Sequence, residues 1–222
     1  MVFFSKKKVI YYPGTTLTKF FPEIVQNYKT ILADLGILVE IDESFNSGWA
    51  LWDQGYQKEY REHKKYLKNY FSQQNIREII TSSPEAAYIL KRDHPELRVR
   101  HTTEVIYQHV QKIQSFNSGN AVFHDNTTQV RRNNILQEPR AILQRAGFTL
   151  LEFLENKKQT QCLGTSTGLI NNSPRLAAKL AMRRAKLAPT KIIITDSPED
   201  YIHLKRNTNL TILELSEVLV EI

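Results

Sequence analysis

Sulfur is almost missing from this chain: 222 residues include one cysteine, Cys162, and two methionines. A lone cysteine excludes an internal disulfide and any self-contained multi-cysteine metal site. No apolar run reaches membrane-spanning length. The opening, MVFFSKKKVIYY, has too short an apolar start for a signal peptide, and its lysines follow that start instead of preceding it. Neither GxGxxG nor GxxxxGKS/T occurs, so the usual phosphate-cradling fingerprints are lacking. The formal net charge is +7, yet the basic residues are scattered (Lys6–Lys8, Lys64, Lys65, Arg131, Arg132, Arg183, Arg184) with no aromatic-interleaved RNA-binding signature. Solvated faces or an acidic protein partner account for them, and nucleic acid is not expected. These absences leave a cytoplasmic globular protein, 41% hydrophobic and 24% charged, long enough to bury a substantial core.

The chain does contain a phrase written twice. EIITSSPEAAYILKR (Glu78–Arg92) returns as IIITDSPEDYIHLKR (Ile192–Arg206). In each copy a β-branched run ends in a small polar turn. Ser83 and Ser197 suit helix N-caps, and proline suits the first helical position, where its missing N–H costs nothing. Glu85 and Glu199 suit the positive end of a helix. Upstream, VIYYPGTT (Val9–Thr16) pairs with AVFHDNTT (Ala121–Thr128), and ILADLG (Ile31–Gly36) with ILQRAG (Ile142–Gly147). ILVEI and TLLEF follow as strands, and Asn46–Gly48 answers Cys162–Gly164. The order strand, helix, strand, turn, helix, strand, turn, helix therefore occurs twice. The pattern predicts an α/β fold of two tandem pseudo-symmetric βαβ-type repeats, 1–115 and 121–222, with mostly parallel sheets flanked by helices. Phe116–Asn120 reads as the linker. A long helix after Gly48 places Trp49, Trp52, Tyr56, Tyr60, Leu67 and Phe71 near one face, as core or interface.

Ligands in such folds sit at the carboxyl ends of the strands, which here means the turns Gly14–Thr16, Asn46–Gly48 and Thr81–Pro84 and their partners in the second half. Several residues there carry chemistry. His124 and Asp125 end a strand and could form an acid–base pair or metal ligands, although neighbours on a strand point to opposite faces and a structural role in shaping the turn is favoured. Cys162 is either a reactive thiol or a partly buried bystander. A metal site from His101, His124, Asp125 and Asp196 has no recognised ligand spacing. Gly14, Gly48 and the loop Gly164–Gly168 could present backbone N–H groups to an anion.

The turns also carry a resemblance. PGTT, NSG, SSPEA, RHTTEVI (Arg100–Ile106), HDNTT (His124–Thr128), EPRAIL (Glu138–Leu143), CLGTSTG and the last Ser197 to Asp200 pair follow, over about residues 9 to 206, the wording of the cysteine-rich CCG-domain family. That family includes the B subunit of heterodisulfide reductase and related subunits of glycerol-3-phosphate, lactate, fumarate and succinate oxidoreductases. The family's cysteines hold noncubane iron–sulfur clusters. The resemblance places Thr15, Asn46, Ser47, Ser83 and Ala86 at ligand positions of the first repeat, and Thr127, Cys162, Leu163, Ser197 and Asp200 at those of the second. Clusters are held by thiolates, which threonine, serine, alanine and leucine cannot replace. The expectation is a chain with no cofactor and no metal of its own and no catalysis by itself. It would be a non-redox structural or assembly subunit of a heterodisulfide-reductase-like or succinate-dehydrogenase-like complex. Its partners would be the iron–sulfur and flavin subunits, with any membrane contact made through them. The alternative is a small enzyme or ligand-binding module using the vestigial cleft around His124, Asp125 and Cys162.

Overall fold

The computed structural model describes residues 8–115, 118–166 and 168–220. Phe116 and Asn117 of the expected linker, Lys6 and Lys7 of the basic start and Thr167 of the glycine loop lie outside the described residues. In the first half, β1 (Lys8–Tyr12) leads into α1 (Thr15–Phe20), α2 (Pro22–Asp34) and β2 (Glu40–Ile41). Then come α3 (Trp49–Asp53), α4 (Gln57–Gln73), β3 (Ile76–Thr81), α5 (Pro84–Asp93), β4 (Arg98–His101) and α6 (Thr102–Tyr107). The second half runs β5 (Asn120–Phe123), a π-helical turn (Gln129–Asn133), α7 (Glu138–Arg145), β6 (Thr149–Leu151), α8 (Leu169–Asn172) and α9 (Pro174–Lys186). It continues with β7 (Ile192–Thr195), α10 (Pro198–Asn207), β8 (Thr211–Glu214) and a closing 3-10 turn (Leu215–Val218).

Among the described residues the strands form two four-stranded sheets, ordered β2-β1-β3-β4 and β6-β5-β7-β8. Every pairing is parallel, with Ile10 beside Ile79 in one sheet and Val122 beside Ile193 in the other. The chain is thus an α/β fold with two similar halves. The chemistry of the repeated phrase explains why. Ser83 Oγ accepts from Ala86 N at 3.3 Å, and Ser197 Oγ accepts from Asp200 N at 3.3 Å. Pro84 and Pro198 open their helices. Thr81 and Thr195 hydroxyls each accept the backbone N–H two residues on. The same strand-to-helix corner is therefore built twice by the same three residue types, threonine, serine and proline.

Alternation along the strands sets the layers. Ile10 and Tyr12 of β1, with Ile79 of β3, join a core with Phe45, Leu67, Phe71 and Leu90. Tyr11 and Ile80 face the other way, into a larger core with Leu17, Tyr28 and Val105. That larger core also takes in Ala121, Val122, Phe123, Ile193 and Ile194 of the second sheet, so one apolar interior joins the halves. Continuous apolar strands buried on both faces are what parallel sheets require.

Two expectations are corrected. The single helix expected after Gly48 is two, α3 and α4, because Gly55 takes φ +81° and turns the chain between them. Its stripe divides accordingly: Tyr60, Leu67 and Phe71 are core, Trp49 and Trp52 lie at the mouth of the strand-end turns, and Tyr56 is exposed. The fourth strand of each half, β4 and β8, was not among the expected elements. Among the described residues no helix is long and apolar enough to cross a membrane.

Candidate functional site

In both sheets the chain reverses direction across the sheet between the first and third strands, β1/β3 and β5/β7. Loops part there and leave room for a ligand. In the first half that room is open. A cavity of about 560 Å³ is lined by Tyr12, Gly14, Thr15, Asn46, Ser47, Gly48, Trp49, Ala50, Leu51 and Ser83, together with Glu85, Thr165 and Glu199. Four first-half positions singled out from sequence, Thr15, Asn46, Ser47 and Ser83, therefore do meet around one space. Ala86 does not line it; its side chain is buried in the core behind α5. Gly48 makes the close approach possible. It sits at φ +79°, and a Cβ there would meet the His63 ring at 2.8 Å. His63 in turn contacts Asn46 O at 2.9 Å and holds the turn.

The equivalent space in the second half is filled. Asn126 Nδ2 donates to Asp200 Oδ2 at 2.9 Å and lies within 3.4 Å of Ser166 Oγ, Ser197 Oγ and Glu85 Oε1. Asn126 Oδ1 accepts from Gln129 N at 3.0 Å. Leu163 joins the larger core. Thr127 stands apart, in a separate cleft with Trp49, Trp52, Arg131 and Arg132. Cys162 is part-buried, and its Sγ accepts from Gly164 N at 3.2 Å. A set of hydroxyls, an amide, a methyl and one thiol does not fit a thiolate-held cluster.

His124 and Asp125, considered as a pair, point apart. His124 Nε2 approaches Asp200 Oδ2 at 3.5 Å while its Nδ1 accepts from Arg184 Nε at 3.1 Å. Asp125 turns to the opposite side, where Arg140 grips both its oxygens at 2.9 and 2.8 Å and Lys157 N donates at 2.7 Å. Asp125 is thus a structural anion. Arg184 lies buried with its guanidinium 3.5 Å from the Phe153 ring centre, and burial lowers it to about 10. Burial pushes Asp200 up, but hydrogen bonding and attraction to His124, with donors from Thr165 and Asn126, outweigh it and hold Asp200 below its ordinary value.

The four-residue metal idea also comes apart. His101 caps α6, accepting on Nδ1 from Thr103 N at 3.2 Å while Glu104 closes the capping box. Its Nε2 lies 3.0 Å from Ser82 O, and burial holds it below the ordinary histidine value. Asp196 accepts from Thr103 Oγ1 at 2.7 Å and Gln129 Nε2 at 3.0 Å. Neither residue shares a hydrogen bond with His124 or Asp125 among the described contacts. Among the described residues, no group of three or more His, Cys, Asp or Glu side chains is placed to hold a metal ion.

The residues that stand out in the cavity are ones that the sequence offered only as helix-end charges. Glu85 and Glu199 occupy the second position of α5 and α10, one from each half. Glu85 is 4% exposed. Its Oε1 accepts from Ser166 Oγ at 2.7 Å, while its Oε2 is shut off from solvent without a partner. Glu199 is half-buried as a residue. Its Oε1 accepts from Thr16 Oγ1 at 3.0 Å, and its Oε2 is likewise shut off and unpartnered. Burial raises both carboxyls; the nearby Asp200 charge adds to this at Glu85, and Glu85 pushes Glu199 up to about 8. Buried acceptors without donors are costly; each glutamate's own backbone N–H at the helix start, with the Thr128 hydroxyl at Glu85, eases the charged form but is outweighed by burial. The sequence signal was the repeat itself, which puts the same acid at the same strand-end corner twice.

Comparison with known proteins gives three findings. No family model matches the chain. The B subunit of the CoM/CoB fumarate reductase from Methanothermobacter marburgensis is 30% identical over 135 residues, 57% of this chain and 27% of that protein, so the chain spans about a quarter of that relative's length. Solved structures similar to it include an aspartate racemase homologue from Pyrococcus horikoshii (10% identity, 96% of this chain and 95% of that one, TM-score 0.36). Others are a putative Asp/Glu racemase from Yersinia pestis (10%, 95% of each chain, 0.39) and a glutamate racemase from Bacillus anthracis (10%, 96% and 79%, 0.40). Likeness at this level names no activity for the chain. The expectation of a non-redox structural or assembly subunit is corrected on the chain's own geometry: the first-half cleft is an open cavity lined by Glu85 and Glu199, each with one oxygen that lacks a hydrogen-bond partner.

Proposed function

We propose that the chain is a small-ligand module that works in the strand-end cavity between its halves, with acid–base chemistry available to it from Glu85 and Glu199. The single observation that supports this reading is the pair of acids, Glu85 and Glu199, that line one cavity while each keeps one buried oxygen without a hydrogen-bond partner. Buried polar atoms are nearly always hydrogen-bonded, so two incompletely bonded acids in the wall of an open space mark the side of it that suits a ligand's donors. Carboxyls raised by burial and by neighbouring acids are also the groups that can hold or pass a proton near neutral pH. The frame is proposed to be CCG-like, with its cluster-ligand positions taken over by Thr15, Asn46, Ser47 and Ser83, which now serve as small polar lining. This places the ligand in the first-half cavity instead of around His124, Asp125 and Cys162, whose polar groups are already engaged.

A thermal-shift screen of small polar metabolites, run on the wild type and on the Glu85→Gln/Glu199→Gln double variant, tests this reading. At about 100 times its Kd a ligand is expected to raise the wild-type Tm by about 5–10 °C, with little or no shift in the double variant. Hits that stabilise both proteins equally, or a screen with none, contradict it.

A further inference from the structure

The chemistry of the lining narrows the ligand class. Among the described residues no lysine, arginine or histidine lines the cavity, although the chain as a whole carries a net charge of +7. Its charged groups are Glu85 and Glu199, with Asp200 close enough to raise both. Tyr12, from β1, is the other titratable group facing the pair, and burial raises it as well. Beside the acids the wall offers hydroxyls from Thr15, Ser47, Ser83 and Thr165, and an apolar side from Tyr12, Trp49 and Leu51. A carboxylate or phosphate entering this space meets like charge and no cation. A bare metal ion lacks a third anionic or imidazole ligand among the described residues.

An ammonium group suits the site on each of these counts. It has donors and no acceptor, and its hydrogen bonds to carboxylates are the strong, charge-assisted kind. Its carbon substituent can lie on aromatic faces, which themselves attract cations. Building on the cavity reading above, we propose that the pocket takes the ammonium group of a small organic amine, held by the Glu85 and Glu199 carboxyls that line it, with the amine's carbon chain against Trp49 and Tyr12. The cation and the proton compete for the same carboxyl pair. Binding therefore tightens as pH rises through the range in which the pair gives up its proton.

The test compares n-butylammonium, n-butanol and n-butyrate as probes, reading the Trp49 indole N–H and the Ser83 and Thr165 amides by NMR at about pH 6.5 and about pH 9. The amine is expected to produce saturable shifts at all three positions, with affinity about tenfold higher at the upper pH, and the Glu85→Gln/Glu199→Gln variant to lose at least about tenfold. Saturable shifts from butanol or butyrate equal to those from the amine overturn the ammonium assignment and leave the cavity reading standing. Amine binding that ignores pH or survives the double substitution overturns it as well, and so does the absence of any saturable shift. The metabolite screen reports separately on whether the cavity binds anything.

Discussion

Arg140→Ala is expected to destabilise the protein by about 3–5 kcal/mol, seen as a lower urea midpoint at unchanged slope. The Asp125 side chain has no solvent exposure, and Arg140, itself 6% exposed, binds both its oxygens. Arg140 also donates to Leu136 O at 2.6 Å and pairs with Glu152. The hydrogen bonds and charges of the two acids outweigh its burial and raise it above the ordinary arginine value. Removing it strands a buried carboxylate with Lys157 N as its nearest remaining donor. Glu152→Ala is the control: its side chain is 38% exposed, and the expected loss is below about 1 kcal/mol. If Asp125 were instead a working acid or base poised at the cleft, Arg140→Ala would leave stability near the wild type.

Stability is also expected to fall as pH rises from about 6.5 to about 9, and Glu199→Gln to flatten that fall. The sign follows from proton binding. A glutamate titrates near 4.5 when unfolded, whereas burial and the neighbouring Glu85 raise folded Glu199 to about 8, and burial raises Glu214 to about 7. The folded chain thus holds these protons more tightly. The stability that they confer is full below the unfolded value and is lost as pH passes through the folded ones. His94 and His101, lowered by burial, work in the opposite sense, but only below their ordinary value of 6.5. Glu199 is half-buried, so Glu199→Gln should recover about 1–2 kcal/mol at about pH 9 after allowance for solvent screening. Denaturant midpoints for both proteins at the two pH values decide it. A variant less stable than the wild type at high pH would show that the Glu199 charge is favourably held and that the orphaned oxygen is no cost. A stabilising change that weakens ligand binding is the usual trade at functional sites.

The corners of the fold were legible because they are local. Ser-Pro-Glu after a β-branched run specifies a cap, a first helical turn and a strand end without help from elsewhere, and the repetition of that phrase implied the second sheet from the first. β4 and β8 were hard to see: each is four residues, and in β4 arginines alternate with the inward Val99 and His101. The break at Gly55 is masked in the sequence because the aromatic spacing runs through it in register. At the site, spacing along the chain identified the loops that meet but not which of their side chains face inward. His124 and Asp125 are neighbours in sequence that engage opposite partners, Asp200 and Arg140. Glu85 and Glu199 are 114 positions apart by their numbers and were accounted for by the helix dipole. Only tertiary packing shows that each leaves one oxygen unpartnered, and only packing shows Asn126 filling the second-half space.

The most direct measurement is where a ligand from the metabolite screen lands, mapped by amide and indole chemical shifts on the wild-type protein. The cavity reading requires the perturbations to centre on Gly14, Gly48, Trp49, Ser83 and Thr165, around Glu85 and Glu199. Perturbations centred instead on the basic cleft of Arg61, Lys64, Lys65 and Lys68, with the strand-end turns silent, would contradict it.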